Sequence, residues 1–207
     1  MAYIATSDVT EYGSFTGTAD NALIARLITR SQDAIEEYTG RFFEDQAVST
    51  RRFEASVDTE GQILFLNQDL LEFGSDGIVA GTDIIFTGST TGVVFNTNFV
   101  PVPRSDKPIY ELRIRDGSSL TWGNPNSDGD YEDVIAVNGI WAYSSVAPAD
   151  IVHANLRLVL FYYKQAQNYD GSLDRPLLTA DGITIMPSAL PADVIQILDR
   201  YKRPVFK

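Results

Sequence analysis

The chain has no cysteine among its 207 residues and a single histidine, His153. The first absence removes disulfide frameworks, thiolate zinc sites and cysteine nucleophiles. The second removes any metal site that needs several imidazoles. No run of about 20 apolar residues occurs, so the sequence predicts no membrane-spanning helix. The segment Met1-Ala2-Tyr3-Ile4-Ala5-Thr6-Ser7-Asp8 lacks a basic stretch and an apolar core, and is not read as a signal peptide. Base is scarce as well: 16 Lys and Arg against 28 Asp and Glu leave a net charge of −12. That balance argues against general nucleic-acid binding, whose affinity comes from neutralising phosphates. Glycine-rich phosphate loops are also missing, both the G-x-x-x-x-G-K-[ST] and the G-x-G-x-x-G patterns.

What is present is ordinary for a folded chain, with 44% hydrophobic and 21% charged residues. The length allows one large domain or a domain with an insert, and buries about 70% of the unfolded surface without a metal or disulfide staple. The charge is uneven. Residues 1–145 hold 22 acids and 9 bases, residues 146–207 hold 6 and 7, and Asp199–Lys207 holds one acid and four bases. A basic tip on an acidic body reads as an interaction tail or as a helix C-terminus whose dipole favours cations.

From Asp20 to Tyr38, Leu23, Ile24, Leu27, Ile28, Ser31, Ile35 and Tyr38 recur at three- and four-residue steps, which predicts an amphipathic helix at about 20–39. Gly40 stands where a left-handed cap belongs. Between Phe42 and Val146 short β-branched and aromatic runs alternate with Gly and Asp: Arg52–Val57, Gln62–Leu66, Thr82–Phe86, Gly92–Asn96, Tyr110–Arg115 and Val134–Tyr143. This is the texture of antiparallel sheet. Pro101, Pro103 and Pro108 mark an irregular connection or an edge strand. Asn138-Gly139 reads as a hairpin turn. Pro148 then opens a long helix at about 148–169 that is apolar nearly all round, so it needs cover on several sides, from neighbouring subunits for economy. A loop at Asp170–Pro191 holds one apolar stretch, Gly182–Met186, and a short helix follows at about 192–201.

Signals for chemistry are weak. Asn124, Asn126, Asp128 and Gly129 match the first positions of a calcium loop, but its twelfth position is Ile135 instead of a bidentate Glu, so an acidic turn is expected. His153 has no acid–base partner nearby and reads as structural. Gly171-Ser172-Leu173-Asp174 offers a carboxylate, but no glycosidase pair follows from sequence separation alone. Phe42, Phe43, Phe53, Trp122, Trp141 and Tyr143 suggest a sugar-stacking face or, more commonly for strand residues, core. No catalytic, cofactor-binding or metal-binding residue is assigned, and the chain is expected not to be an enzyme.

Three stretches, in order, carry a resemblance. They are Ala34-Ile35-Glu36-Glu37-Tyr38-Thr39-Gly40-Arg41-Phe42-Phe43 with Arg51-Arg52-Phe53; Val137-Asn138-Gly139-Ile140-Trp141-Ala142-Tyr143 with Pro148-Ala149-Asp150-Ile151-Val152-His153-Ala154; and Ile197-Leu198-Asp199-Arg200-Tyr201-Lys202-Arg203-Pro204. Together they resemble the head–tail connector (adaptor) proteins of tailed bacteriophages and prophages, with Ala142 in place of the usual second glycine. The fold expected is α+β: a helical bundle scaffold from both chain ends (1–53 and 134–207) around an inserted antiparallel β-rich region (54–133). The resemblance implies a homo-oligomeric ring, typically a dodecamer, beneath the portal protein of the virion and assembled in the host cytoplasm. It implies attachment of a stopper or tail-completion protein, and passage of genome DNA through the channel without specific binding. It also implies portal docking by the basic C-terminal tail 200–207, here Arg200, Tyr201, Lys202, Arg203, Pro204, Val205, Phe206 and Lys207. No cofactor and no membrane are implied. The alternatives are a carbohydrate- or receptor-binding β module of a phage tail or surface protein, and a glycoside hydrolase.

Overall fold

The computed structural model describes residues 2–14, 20–86, 98–167, 177–178, 184–185 and 190–203. The expected strand at Gly92–Asn96, the Gly171–Asp174 stretch and tail residues Pro204–Lys207 lie outside the described residues, as does most of the 170–191 loop. The chain divides into two compact units. One comprises Met1–Gly40 and Ala147–Arg203; the other comprises Arg41–Val146.

In the first unit, α1 (Thr6–Gly13), α2 (Asn21–Thr39), α4 (Ala149–Gln167) and α5 (Ala192–Leu198) pack together, and a 3-10 turn, Asp199–Tyr201, extends α5. Helix α2 forms where the apolar recurrence put one. It buries Ile24, Leu27, Ile28, Ser31 and Ile35 and ends at Gly40, whose φ of 68° lets its N–H reach the Glu36 carbonyl. Helix α4 starts at Pro148, whose carbonyl accepts from Ile151 and Val152. It buries Ile151, Ala154, Leu158, Val159, Tyr162 and Tyr163, while Val152, Leu156, Leu160 and Phe161 are half-buried. One polar pair sits in this core: the Ser31 hydroxyl donates to Asn155 Oδ1, and both side chains are fully buried. Helix α1 carries few apolar residues and follows no clear period in the sequence; a capping interaction of Asp8 with the Ala5 N–H, at 2.7 Å, sets its start. Two two-residue strands, β9 (Leu177–Leu178) and β10 (Thr184–Ile185), pair within the 170–191 stretch.

The second unit holds two four-stranded antiparallel sheets. The first runs β1 (Ser49–Phe53), β8 (Ile135–Ile140), β4 (Glu72–Ala80), β5 (Asp83–Phe86); the second runs β2 (Thr59–Glu60), β3 (Ile63–Leu70), β7 (Ile109–Ile114), β6 (Phe99–Val102). A one-turn helix, α3 (Ala55–Asp58), joins β1 to β2. Both sheets contribute to one core that includes Phe53, Leu64, Phe73, Ile78, Leu112 and Val137. Pro101 lies in β6, an edge strand, where its missing N–H leaves no ladder bond unmade.

The fold expected from the sequence is therefore corrected. The chain is α+β, but it is not a helical bundle contributed by both ends with strands confined to an insert. Strands β1 and β8, assigned to that scaffold, pair with each other from Ser49↔Gly139 to Phe53↔Ile135 and help build a sheet. The β-rich part is two complete sheets whose alternating apolar residues close a core of their own.

Strand β8 also corrects a local expectation. Asn138-Gly139 is not a turn but the middle of the strand. A Cβ on Gly139 would stand 2.4 Å from both the Glu72 carbonyl oxygen and Leu70 Cδ1, so the neighbouring backbone requires glycine there. Asn138, 6% exposed, donates from Nδ2 to Thr50 Oγ1 at 3.0 Å and accepts from the Asp76 N–H at 3.4 Å, which ties β8 to the strands on both sides. Strand β4 escaped the sequence reading because Gly74-Ser75-Asp76-Gly77 looks like a turn. Here it is the irregular stretch between Phe73 and Ile78, with Gly77 at φ 64°.

Candidate functional site

The described part of the basic C-terminal segment lies against α2 and α4 of the first unit. Arg203 donates its N–H to the Thr39 carbonyl at 2.9 Å, satisfying a C-terminal carbonyl of α2. Lys202 Nζ stands 4.4 Å from the centre of the Tyr38 ring and 3.8 Å from Asp199. Arg200 pairs with Asp150 at 3.3 Å, both groups well exposed. The Tyr38 hydroxyl donates to Asp199 Oδ1 at 2.7 Å. That bond, with smaller help from desolvation and the carboxylate charge, raises the Tyr38 pKa above 10.0. Lys202 thus sits at the C-terminal end of α2, where the dipole favours a cation, and Arg200 sits on Asp150 in the first turn of α4. Pro204, Val205, Phe206 and Lys207 lie outside the described residues.

Nearby, Arg157 holds Asp193 through an exposed ion pair. The hydrogen bond from Arg157 lowers the Asp193 pKa below 3.8 and raises that of Arg157. Tyr163 donates to Asp20 at 2.6 Å, which raises the Tyr163 pKa. His153 is exposed on α4 with its ring edge-on to Tyr12, centroids 6.0 Å apart.

In the β unit the resemblance residues are packing residues. Arg41 and Asp69, 6% and 1% exposed, form an ion pair at 3.0 Å. The guanidinium also lies over the rings of Tyr143 at 4.9 Å and Tyr110 at 5.7 Å. Trp141 is buried, donates to the Ser49 carbonyl at 3.0 Å and packs its ring on Phe53. Trp122 donates to the Gln62 carbonyl at 2.8 Å. Of the six aromatics considered for sugar stacking, Phe43, Phe53, Trp122 and Trp141 are buried and Phe42 and Tyr143 half-buried, so they form no exposed platform.

The acidic loop Asn124–Asp133 is an Asx-built turn. Asn126 Oδ1 accepts from the N–H groups of Asp128 and Asp130, at 3.0 and 2.9 Å, and Asp130 Oδ1 accepts from Glu132 N–H at 3.1 Å. A shallow cleft of about 510 Å³ beside it is lined by Arg52, Asn126, Asp130, Glu132 and Asp133 among others. Among the described residues no three His, Asp or Glu gather as metal ligands, and no helix is long and apolar enough to cross a membrane.

These elements define an α+β chain built as one mainly helical and one mainly β unit. No family model and no curated sequence matches it. Its fold is similar to that of a chain in a solved structure described as the neck of an empty GTA (gene transfer agent) particle computed with C6 symmetry. The TM-score is 0.58 at 13% identity, covering 99% of this chain and 92% of that one.

Proposed function

We propose that the chain is a structural, non-catalytic subunit of the head–tail neck of a phage or phage-like particle. In this reading it is a connector (adaptor) whose copies form a ring beneath the portal, extend the DNA channel and present a surface to stopper or tail proteins. The observation that carries the proposal is the end-to-end likeness of fold to a chain of a particle neck. The three sequence stretches resembling connector proteins support it independently. A ring of twelve is compatible with the sixfold symmetry in that structure's description. The half-buried apolar residues Val152, Leu156 and Leu160 of α4 are suited to further cover by neighbouring copies. The net charge of −12 suits a channel along which DNA slides, since like-charge walls do not hold phosphates.

Portal docking falls to residues 200–207, with the ordered cations Arg200, Lys202 and Arg203 as its described part; Arg and aromatic residues are the usual anchors of interfaces. The test is electron microscopy and native mass of the chain mixed with purified portal. A ring on the portal is expected, and its loss on deletion of 204–207 combined with Arg200→Glu and Lys202→Glu. A monomer that ignores portal, or unchanged docking by that variant, would overturn the respective part. The carbohydrate-binding alternative requires an exposed aromatic face within 54–133. Among the described residues there, Tyr131 alone of the aromatics is exposed.

A further inference from the structure

The β unit is strongly acidic, with 16 acids and 7 bases between Arg41 and Val146. Three of those bases converge. Arg104, Arg113 and Arg115 line a cleft of about 520 Å³ at β6 and β7, together with Val100, Asp116 and Gly117. All three arginines are exposed, and the side chains of Arg104 and Arg113 have no hydrogen-bond or ion-pair partner among the described residues. The one acid of the cleft, Asp116, accepts at 2.9 Å from the Gln62 amide once that amide is turned so that its nitrogen faces the carboxylate.

The opposite charge is concentrated elsewhere in the same unit. Asp128, Asp130, Glu132 and Asp133 stand exposed in six residues, on a loop tied to the first sheet by Asn124 to Asp83. The carboxylates of Asp128, Glu132 and Asp133 have no partner among the described residues. Among the described residues that line the neighbouring cleft, the base is Arg52, which reaches the Asp133 carbonyl at 3.4 Å rather than a carboxylate. The internal bonds of Asn126 and Asp130 hold the loop in shape, so little conformational freedom remains to be lost on docking. Tyr131, at 58% exposure, adds an apolar contact to the same loop.

We propose that the Arg104–Arg113–Arg115 cleft receives the acidic loop Asp128–Asp133 of a second copy of this chain. The inference rests on the ring reading above and names one contact of that ring. Two different patches on one subunit make a head-to-tail interface, the kind that closes into rings. Charge complementarity selects this occupant over duplex DNA. A duplex needs many phosphate contacts along a basic track, and here three arginines are surrounded by an excess of acids. An acidic loop needs only the cleft, where arginine's fork matches carboxylates.

Because the chain has no cysteine, single thiols placed by substitution report the contact cleanly. Gly117→Cys sits at the cleft, where a Cβ meets nothing within 4 Å; Ser127→Cys flanks the loop and is exposed. Mixed chains carrying one thiol each are treated with a short bismaleimide. The expected result is cross-linked heterodimer well above that of a Thr29→Cys and Ser127→Cys pair. Arg104→Glu with Arg113→Glu in the cleft chain should lower the yield about tenfold, and Asp128→Lys with Glu132→Lys in the loop chain should restore it. A yield no higher than the control pair, or one indifferent to the charge reversals, overturns the proposal. So does a short DNA duplex that binds the wild-type chain and not the Arg→Glu variant, which would assign the cleft to nucleic acid. Native mass of the wild-type chain mixed with purified portal separates the two levels. A ring without the cross-link removes this contact alone, whereas absence of a ring removes the connector reading.

Discussion

Replacing Arg41 by alanine should be among the most damaging single changes in the β unit. Its guanidinium is 6% exposed and pairs at 3.0 Å with Asp69, which is 1% exposed. Alanine would leave the Asp69 charge in a nearly dry site, and breaking a buried pair from one side costs about 3–5 kcal/mol. The lost contacts over Tyr143 and Tyr110 belong to the same loss and are not added to it. Against a domain stability of about 5–15 kcal/mol this is a large fraction. The pair itself need not be net stabilising, because both charges were desolvated to make it. Arg41→Met with Asp69→Leu should therefore recover most of the loss. Urea unfolding followed by tryptophan fluorescence suits the measurement, since Trp122 and Trp141 are both buried in this unit. With an m-value of about 2 kcal/mol/M, Arg41→Ala should move the midpoint down by roughly 2 M. A loss under about 1 kcal/mol, or a double variant as unstable as the single, would refute the buried-charge argument.

Three other outcomes are expected. Gly139→Ala should destabilise by about 1–3 kcal/mol through overpacking against Glu72 and Leu70, read as a lowered urea midpoint; a neutral result would mean that β4 and β8 separate freely there. Ser31→Ala should cost about 1–3 kcal/mol by stranding Asn155 Oδ1 in the core, and Ser31→Ala with Asn155→Leu should recover much of it in thermal melts followed by helix circular dichroism. The Tyr38 pKa is raised by its bond to Asp199. The neutral hydroxyl thus contributes stability below pH 10.0 that is lost as pH rises through the folded value; an alkaline absorbance titration should lose one late-ionising tyrosine in Tyr38→Phe, and an unchanged curve would deny the bond.

Local signals in the sequence were sufficient wherever one element's own period decided its structure. The apolar spacing of Leu23–Ile35, the cap at Gly40 and the proline before α4 each specify a helix from within a few residues. The edge position of Pro101 is likewise written in its missing N–H. Helix α1 was not legible, because its eight residues offer one buried side chain, Val9, and no apolar period. The Gly-Ser-Asp-Gly of β4 and the Asn-Gly of β8 carry turn chemistry and yet lie in strands. Their neighbours across the sheet, not their propensities, determine their conformation.

The candidate site divides the same way. That the last residues are basic is visible in composition. Their place on the end of α2 and beside Tyr38 and Asp150 depends on segments distant in the sequence, Arg203 meeting Thr39, Lys202 meeting Tyr38 and Arg200 meeting Asp150. The acidic loop is a local Asx construction and was legible as a turn. The arginine cleft was not legible at all, since Arg104 lies apart from Arg113 and Arg115 and the three meet only once the chain has folded β6 against β7.

By itself the sequence determined an acidic, thiol-free chain with two long helices, a β-rich middle and a basic end, because composition and period are properties of neighbouring residues. Only the tertiary structure decided that the strands at Ser49–Phe53 and Ile135–Ile140 join each other in one of two complete sheets instead of belonging to a helical bundle. It also decided that Arg41 pairs with Asp69, 28 residues further along the chain. The physical reason is common to both. Strand partners and buried charge pairs are chosen by which distant surfaces can share a core, and no local pattern encodes that choice.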